Sequence, residues 1–140
     1  MAKTAAQMVQ EAYAQIPTVT PQEAEQCLAT GGVVLLDVRE PTEWETHIPG
    51  SVQIPRGILE AKADPTSPRH DPALDPGKQV IVYCRSGARA ALAGVTLTEL
   101  GYTDVVNLAA AITAWKEAAL PTDDMHAAIR TPTPRHSPRE

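Results

Sequence analysis

Apolar positions along this chain follow two periods. Ala5, Met8, Val9, Ala12, Tyr13 and Ile16 recur every three or four residues, which predicts a helix over Ala5–Ile16 with one face laid on the domain. Its polar face is glutamine-rich rather than basic, so the pattern fits packing better than a membrane surface. Pro17 ends that helix, Thr18–Val19 fits a short strand, and Thr20-Pro21-Gln22-Glu23 supplies an N-cap, a first-turn proline and a capping-box glutamate for a helix to about Ala29. Gly31-Gly32 closes it, and the unbroken apolar run Val33–Val38 reads as a strand covered on both faces. Glu40–Thr46 fits a short helix, and the turn His47-Ile48-Pro49-Gly50 leads to a strand over Ser51–Ile54. Further on, Val80–Tyr83 is a strand, Ala88–Leu100 a helix closed by Gly101, Thr103–Asn107 a strand, and Ala109–Ala119 a helix with Trp115 turned inward. Strands alternating with helices predict an α/β domain: a central parallel five-stranded sheet with helices on both faces and right-handed crossovers.

Two stretches escape these periods. Residues 56–78 carry Pro65, Pro68, Pro72 and Pro76 among aspartates and predict a long irregular connection. It reads equally as a solvated link or as a binding loop in which Arg56, Arg69 and His70 overhang an anionic site. From Pro121 the chain allows one weak helix to Arg130 before a proline-rich end with little to bury, which predicts disorder and no catalytic role. The expected organisation is a packing helix over 1–17, a domain over 18–120 and a tail over 121–140.

Composition narrows the function classes. A chain of 140 residues is one domain in size, and no apolar run reaches the roughly eighteen residues of a membrane span. The formal charge of −5 gives no global attraction for nucleic acid, so an anionic small substrate has to be gathered locally. The amino terminus lacks the apolar core of a secretory signal, and a cytoplasmic location follows as the expectation. Of the two cysteines, Cys27 shares a helical face with Ala24 and Leu28 and reads as packing.

Cys84 is different. It stands at a strand's carboxyl end, followed by the polar turn Arg85-Ser86-Gly87 and then a helix of small residues beginning at Ala88-Arg89. The turn and the first helical residues leave backbone N–H groups without intrahelical partners, and with the helix dipole they form an anion-binding concavity around the sulfur. That field and two neighbouring arginines favour a nucleophilic thiolate, whereas a packing cysteine needs none of them. In open α/β sheets ligands bind beyond the strands' carboxyl ends, which is where Cys84 lies.

The run Cys84-Arg85-Ser86-Gly87-Ala88-Arg89 resembles the active-site loop of single-domain rhodaneses, which are thiosulfate sulfurtransferases. Leu36-Asp37-Val38-Arg39, His47-Ile48-Pro49-Gly50-Ser51, and Asn107-Leu108 with Ala114-Trp115 match further motifs of that family, in its order, across about Thr18–Leu120. The resemblance implies a rhodanese-like fold and a thiosulfate:cyanide sulfurtransferase working through a persulfide on Cys84. Backbone amides from Arg85 to Arg89 would hold the anion and later the terminal sulfur, with Arg85 recruiting the donor and Arg89 bracing the loop or neutralising charge. Ser86 would either donate to sulfur or stabilise the turn. The implied partners are a small anionic donor and a thiophilic acceptor, with a thiol or a protein as possible sulfur acceptors; no metal, cofactor, nucleic acid or membrane is implied. Asp37 and Arg39 take a structural role by the same resemblance, and His47 a hydrogen bond within its turn. The chain departs from the family at Ala110-Ala111, where two glycines are usual, and at Thr46, where glycine is usual.

Two other functions fit parts of the pattern. Phosphatases and arsenate reductases of related fold use a similar cradle, but place five residues between Cys and Arg and usually a His before the Cys; here four residues separate Cys84 from Arg89, and Tyr83 precedes the thiol. A sulfur-relay module passing persulfide to a protein would use the same residues as the enzyme.

Overall fold

The computed structural model describes residues 2–109 and 111–124. Helix α1 (Ala5–Gln15) begins on a capping box between Thr4 and Gln7 and is followed by strand β1 (Thr18–Val19). A second capping box, Thr20 with Glu23, starts α2 (Pro21–Thr30), in line with the sequence pattern. Strand β2 (Val33–Asp37) follows, then a single 3-10 turn at Pro41–Glu43 where a short helix is predicted. After β3 (Thr46–His47) and β4 (Val52–Gln53), the irregular region contains a 3-10 turn at Arg56–Ile58 and one helix, α3 (Leu59–Ala63). Strand β5 (Gln79–Tyr83), helix α4 (Ala88–Glu99), strand β6 (Val105–Leu108), helix α5 (Ala111–Glu117) and strand β7 (Asp123–Asp124) complete the order.

Five strands form one sheet in the order β1-β6-β5-β2-β4, every pair parallel. Helices cover both faces, as the alternation of elements predicts. One face buries Leu36, Val82 and Cys84 against α1, α3 and α4, through Ile16, Leu59, Ala90, Ala93 and Leu97. The other buries Leu35, Ile81 and Tyr83 against α2 and α5, through Ala24, Ile112 and Trp115. Because successive strand residues point to opposite faces, Tyr83 and Cys84 are assigned to different layers by one step of the chain.

Small residues let the helices close in. In α4 a side chain at Gly94 would bring its Cβ to 3.0 Å from Ile16 at the end of α1, so glycine is what permits that approach. Ile16 is 3 % exposed and α1 lies along α4.

Strands β3 and β7 are absent from the sequence reading. They pair antiparallel, Thr46 with Asp124 and His47 with Asp123, and Trp115 Nε1–H donates to the Pro121 carbonyl at 2.7 Å. The beginning of the stretch read as a tail is therefore a strand rather than a helix; residues 125–140, including the rest of that predicted helix and the proline-rich end, lie outside the described residues, as does Ala110. Among the described residues no helix is long and apolar enough to cross a membrane.

Candidate active site

The chain leaves β2 towards β4 and leaves β5 towards β6, so the connections diverge above the carboxyl ends of β2 and β5, whose last residues Asp37 and Tyr83 are in register. A crevice at such a divergence is where open α/β sheets hold ligands. Cys84 sits there, 1 % exposed, on the first residue beyond β5.

The thiol is held by its own loop. The chain turns through Arg85 and Ser86, both exposed, and reaches Gly87, which takes φ 116° and ψ −25°. That left-handed conformation suits glycine, and it turns the Gly87 N–H back onto Cys84 Sγ at 3.0 Å. The Gly87 carbonyl, in turn, accepts the first helical bond of α4 from Ala91 at 2.9 Å. The remaining first-turn amides of α4, at Ala88, Arg89 and Ala90, have no carbonyl one turn earlier to pair with. Of the backbone donors expected over Arg85–Arg89, only Gly87 N–H reaches the resting sulfur; the first-turn amides stand at the helix head, where the dipole favours negative charge.

The loop is clamped from three sides. From α5, Ile112 N–H donates to the Cys84 carbonyl at 3.2 Å and Thr113 Oγ1 to the Arg85 carbonyl at 2.9 Å. From β6, the fully buried Asn107 gives its Nδ2 to the Gly87 carbonyl at 3.4 Å, while its Oδ1 has no hydrogen-bond partner among the described residues. From the 3-10 turn after β2, Glu43 receives both terminal nitrogens of Arg89, at 2.7 and 3.0 Å. The Arg89 hydrogen bonds draw the Glu43 carboxyl down to about 2, and the Glu43 hydrogen bonds raise the Arg89 guanidinium. Glu43 is a site residue that sequence reasoning missed: it is 46 positions from its partner, and a glutamate in an exposed-looking turn carries no local sign of the contact.

Arg39 is not free for a ligand. Its guanidinium binds Asp37 bidentately at 2.9–3.2 Å, donates to the Thr46 carbonyl at 2.9 Å and lies 5.5 Å from the Tyr83 ring centre. Burial opposes that charge, but the hydrogen bonds and charge of Asp37, together with Tyr83, raise its pKa. Tyr83 Oη accepts from Ile48 N–H at 3.2 Å and donates to Ser51 Oγ, tying β5 to the turn before β4; burial pushes this phenol up. His47 Nδ1 meets the Trp44 carbonyl at 3.0 Å, within its own turn. Cys27 packs half-buried against the α2 and α5 face, away from Cys84. In the 56–78 region Arg56 binds Glu60 and Thr96, more than two turns of α4 below the loop, and His70 Nε2 meets the Leu74 carbonyl at 2.8 Å; both are committed to the connection itself.

Arg69, in the connection, is exposed, and within the cysteine loop Arg85 stays available. It has no ion-pair partner among the described residues, and it shares a cleft beside the loop with Ile112, Thr113 and Lys116. No group of three His, Cys, Asp or Glu side chains gathers into a metal cluster among the described residues.

The molecule is thus a parallel α/β domain that presents a buried cysteine at a strand's carboxyl end, inside a loop that feeds a helix N-terminus. Comparison with known proteins gives it a family: residues 20–118 match the rhodanese-like domain, and the chain belongs to that family. It is 34 % identical over 93 residues to a sulfurtransferase of Allochromatium vinosum, covering 66 % of this chain and 79 % of that protein. It is 31 % identical over 106 residues, 74 % of this chain, to the probable adenylyltransferase/sulfurtransferase MoeZ of Mycobacterium tuberculosis, but spans only 26 % of that longer protein. Among solved structures, a Rhodopseudomonas palustris protein of unknown function, described as a possible tyrosine phosphatase, superposes with a TM-score of 0.80 at 32 % identity, over 88 % of this chain and 96 % of its own.

Proposed function

We propose that this protein is a sulfurtransferase that carries a sulfane sulfur on Cys84, from thiosulfate to cyanide or another thiophilic acceptor. The observation that carries the reading is the Gly87 N–H on Cys84 Sγ at the head of α4, a donor placed where negative charge on sulfur needs one.

The Cys84 thiolate attacks the outer sulfur of thiosulfate. The sulfur–sulfur bond to the sulfonate breaks, and sulfite leaves with the electron pair. The persulfide's terminal sulfur then lies where the unpaired first-turn amides of α4 converge, and Arg85 balances the incoming dianion. In the second half-reaction the acceptor attacks that terminal sulfur, Cys84 departs again as thiolate, and with cyanide the product is thiocyanate.

Several features weigh against a phosphate monoester as substrate. The arginine that would grip phosphate, Arg89, is occupied by Glu43 through both terminal nitrogens. The six-residue loop is also short for that ligand.

Reduced protein incubated with thiosulfate is expected to gain one sulfur atom by intact mass, and cyanide to discharge it as thiocyanate. Cys84→Ser should gain nothing while remaining folded, and Cys27→Ser should behave as wild type. Equal losses in both variants would overturn the single-cysteine mechanism. No gain from thiosulfate but gain from a protein persulfide would favour relay; turnover of a phosphate ester or arsenate would favour the rival chemistry.

A further inference from the structure

Helix α1 lies outside the segment that matches the rhodanese-like domain, yet one of its side chains reaches the catalytic loop. A Cβ built on Gly87 would stand 2.5 Å from the Tyr13 hydroxyl oxygen, 3.6 Å from its Cζ and 3.9 Å from Asn107 Nδ2. The hydroxyl thus occupies the place where any other residue at 87 would carry its side chain. It does so beside Asn107, whose carboxamide is fully buried with Oδ1 unpaired among the described residues.

We infer that Tyr13 is a positioning residue for Cys84: its hydroxyl, wedged against Gly87 beside Asn107, holds the loop in the conformation that aims the Gly87 N–H at the sulfur. The inference rests on the sulfur-transfer reading for its consequence in turnover, but not for its consequence at the thiol.

The argument is geometric. Glycine at φ 116° is free to leave that conformation, because no Cβ restricts it. A rotation of the Ser86–Gly87 peptide would carry the N–H away from Sγ, and nothing in glycine itself resists it. Ala91 N–H at 2.9 Å and Asn107 Nδ2 at 3.4 Å hold the carbonyl side of Gly87, which leaves its N–H side to Tyr13, the group packed against the Cα. Tyr13 is anchored for this task by α1, whose Ala12 and following Ile16 are buried against the domain, although the ring itself is 40 % exposed. A tyrosine left 40 % exposed on α1 is accounted for by where its hydroxyl ends.

The test uses the rate of Cys84 alkylation by iodoacetamide as a function of pH, in the full-length chain with Cys27→Ser as background. The charged groups around the loop are Arg85, Arg89 with Glu43, and, across the cleft, Arg39, Lys116 and Glu117; the variants leave all of them in place. Losing the N–H donor removes a hydrogen bond to the thiolate, so Tyr13→Phe and Tyr13→Ala should each move the alkylation midpoint up by about half a unit or more. Met8→Ala, a truncation of an exposed side chain on the same helix, should leave the midpoint where it is. In turnover, both Tyr13 variants should lower kcat several-fold with the KM for thiosulfate unchanged. An unmoved midpoint in folded Tyr13→Phe overturns the inference. So does an equal shift in Met8→Ala, which would reduce α1 to general support. Tyr13→Phe removes one atom, so the test survives if Tyr13→Ala fails to fold. If wild type transfers no sulfur at all, the sulfurtransferase reading falls while the alkylation arm still decides the role of Tyr13.

Discussion

Arg85, in the loop, and Arg89, in the first turn of α4, are four residues apart and differently engaged. Arg89 is paired with Glu43, whereas Arg85 is exposed and has no ion-pair partner among the described residues; under the proposed function Arg85 is the charge that a donor would meet. An exposed charge contributes roughly 0.2–1 kcal/mol to a partner. Arg85→Ala is therefore expected to slow loading by thiosulfate about two- to fivefold, and to affect cyanide's attack on preformed persulfide less, since only the first step gathers a dianion. Separate stopped-flow measurements of the two half-reactions would check this, and equal effects would remove Arg85 from its role. The Arg89–Glu43 pair has its own signature in pH. Glu43 falls to about 2 from an ordinary 4.5, so its pair stabilises the fold above pH 4.5, and that contribution is lost as pH drops towards 2. With both partners partly exposed, its size is on the order of 1 kcal/mol. Urea unfolding of Glu43→Gln should show that deficit at pH 7 and none near pH 2; a deficit constant with pH would mean that the carboxylate charge is not what matters.

At the scale of elements, the head of α4 concentrates the risk. Gly87→Ala adds a Cβ at positive φ and within 2.5 Å of the Tyr13 hydroxyl, and such strain costs on the order of 1–3 kcal/mol. Thermal unfolding should fall accordingly, and sulfur transfer should fall further, because the N–H that meets Sγ moves with the strain. A variant with lower stability but undiminished transfer would separate Gly87 from the chemistry. Elements of this kind were legible in the sequence where their cause is local. The Thr20–Glu23 capping box, the unbroken apolar runs of β2 and β5, and the small-residue helix after the cysteine all announce themselves within a few positions. What was illegible depends on partners far along the chain. Strands β3 and β7 hold two residues each and lie more than seventy positions apart, too short for any period. Glu43 finds Arg89 only because the turn after β2 folds over the loop after β5, and Tyr13 reads as one more apolar position of α1 until its hydroxyl is seen beside Gly87. The Cys84–Arg89 run is thus plain in the sequence while the residues that support it are not.

For the molecule as a whole, two truncations of the carboxyl-terminal stretch have different expected outcomes. Removing 131–140 is expected to leave transfer and stability unchanged. Truncation after Leu120 deletes β7 and the carbonyl that receives the Trp115 indole N–H; a buried donor left unpaired costs about 1–3 kcal/mol, and thermal unfolding of the two truncations side by side would show the contrast. If the shorter deletion alone abolished transfer, the last ten residues would belong to the function after all. The sheet carries one further consequence. Its two borders, β1 and β4, are two residues long, so neither offers the row of open backbone donors and acceptors that an extended foreign segment needs in order to add itself as a sixth strand. Strand addition at the sheet's borders is therefore not a route by which an extended segment docks on this domain. The same short borders guard the protein, at the high concentrations of a cell or a test tube, against stacking edge to edge with its own copies.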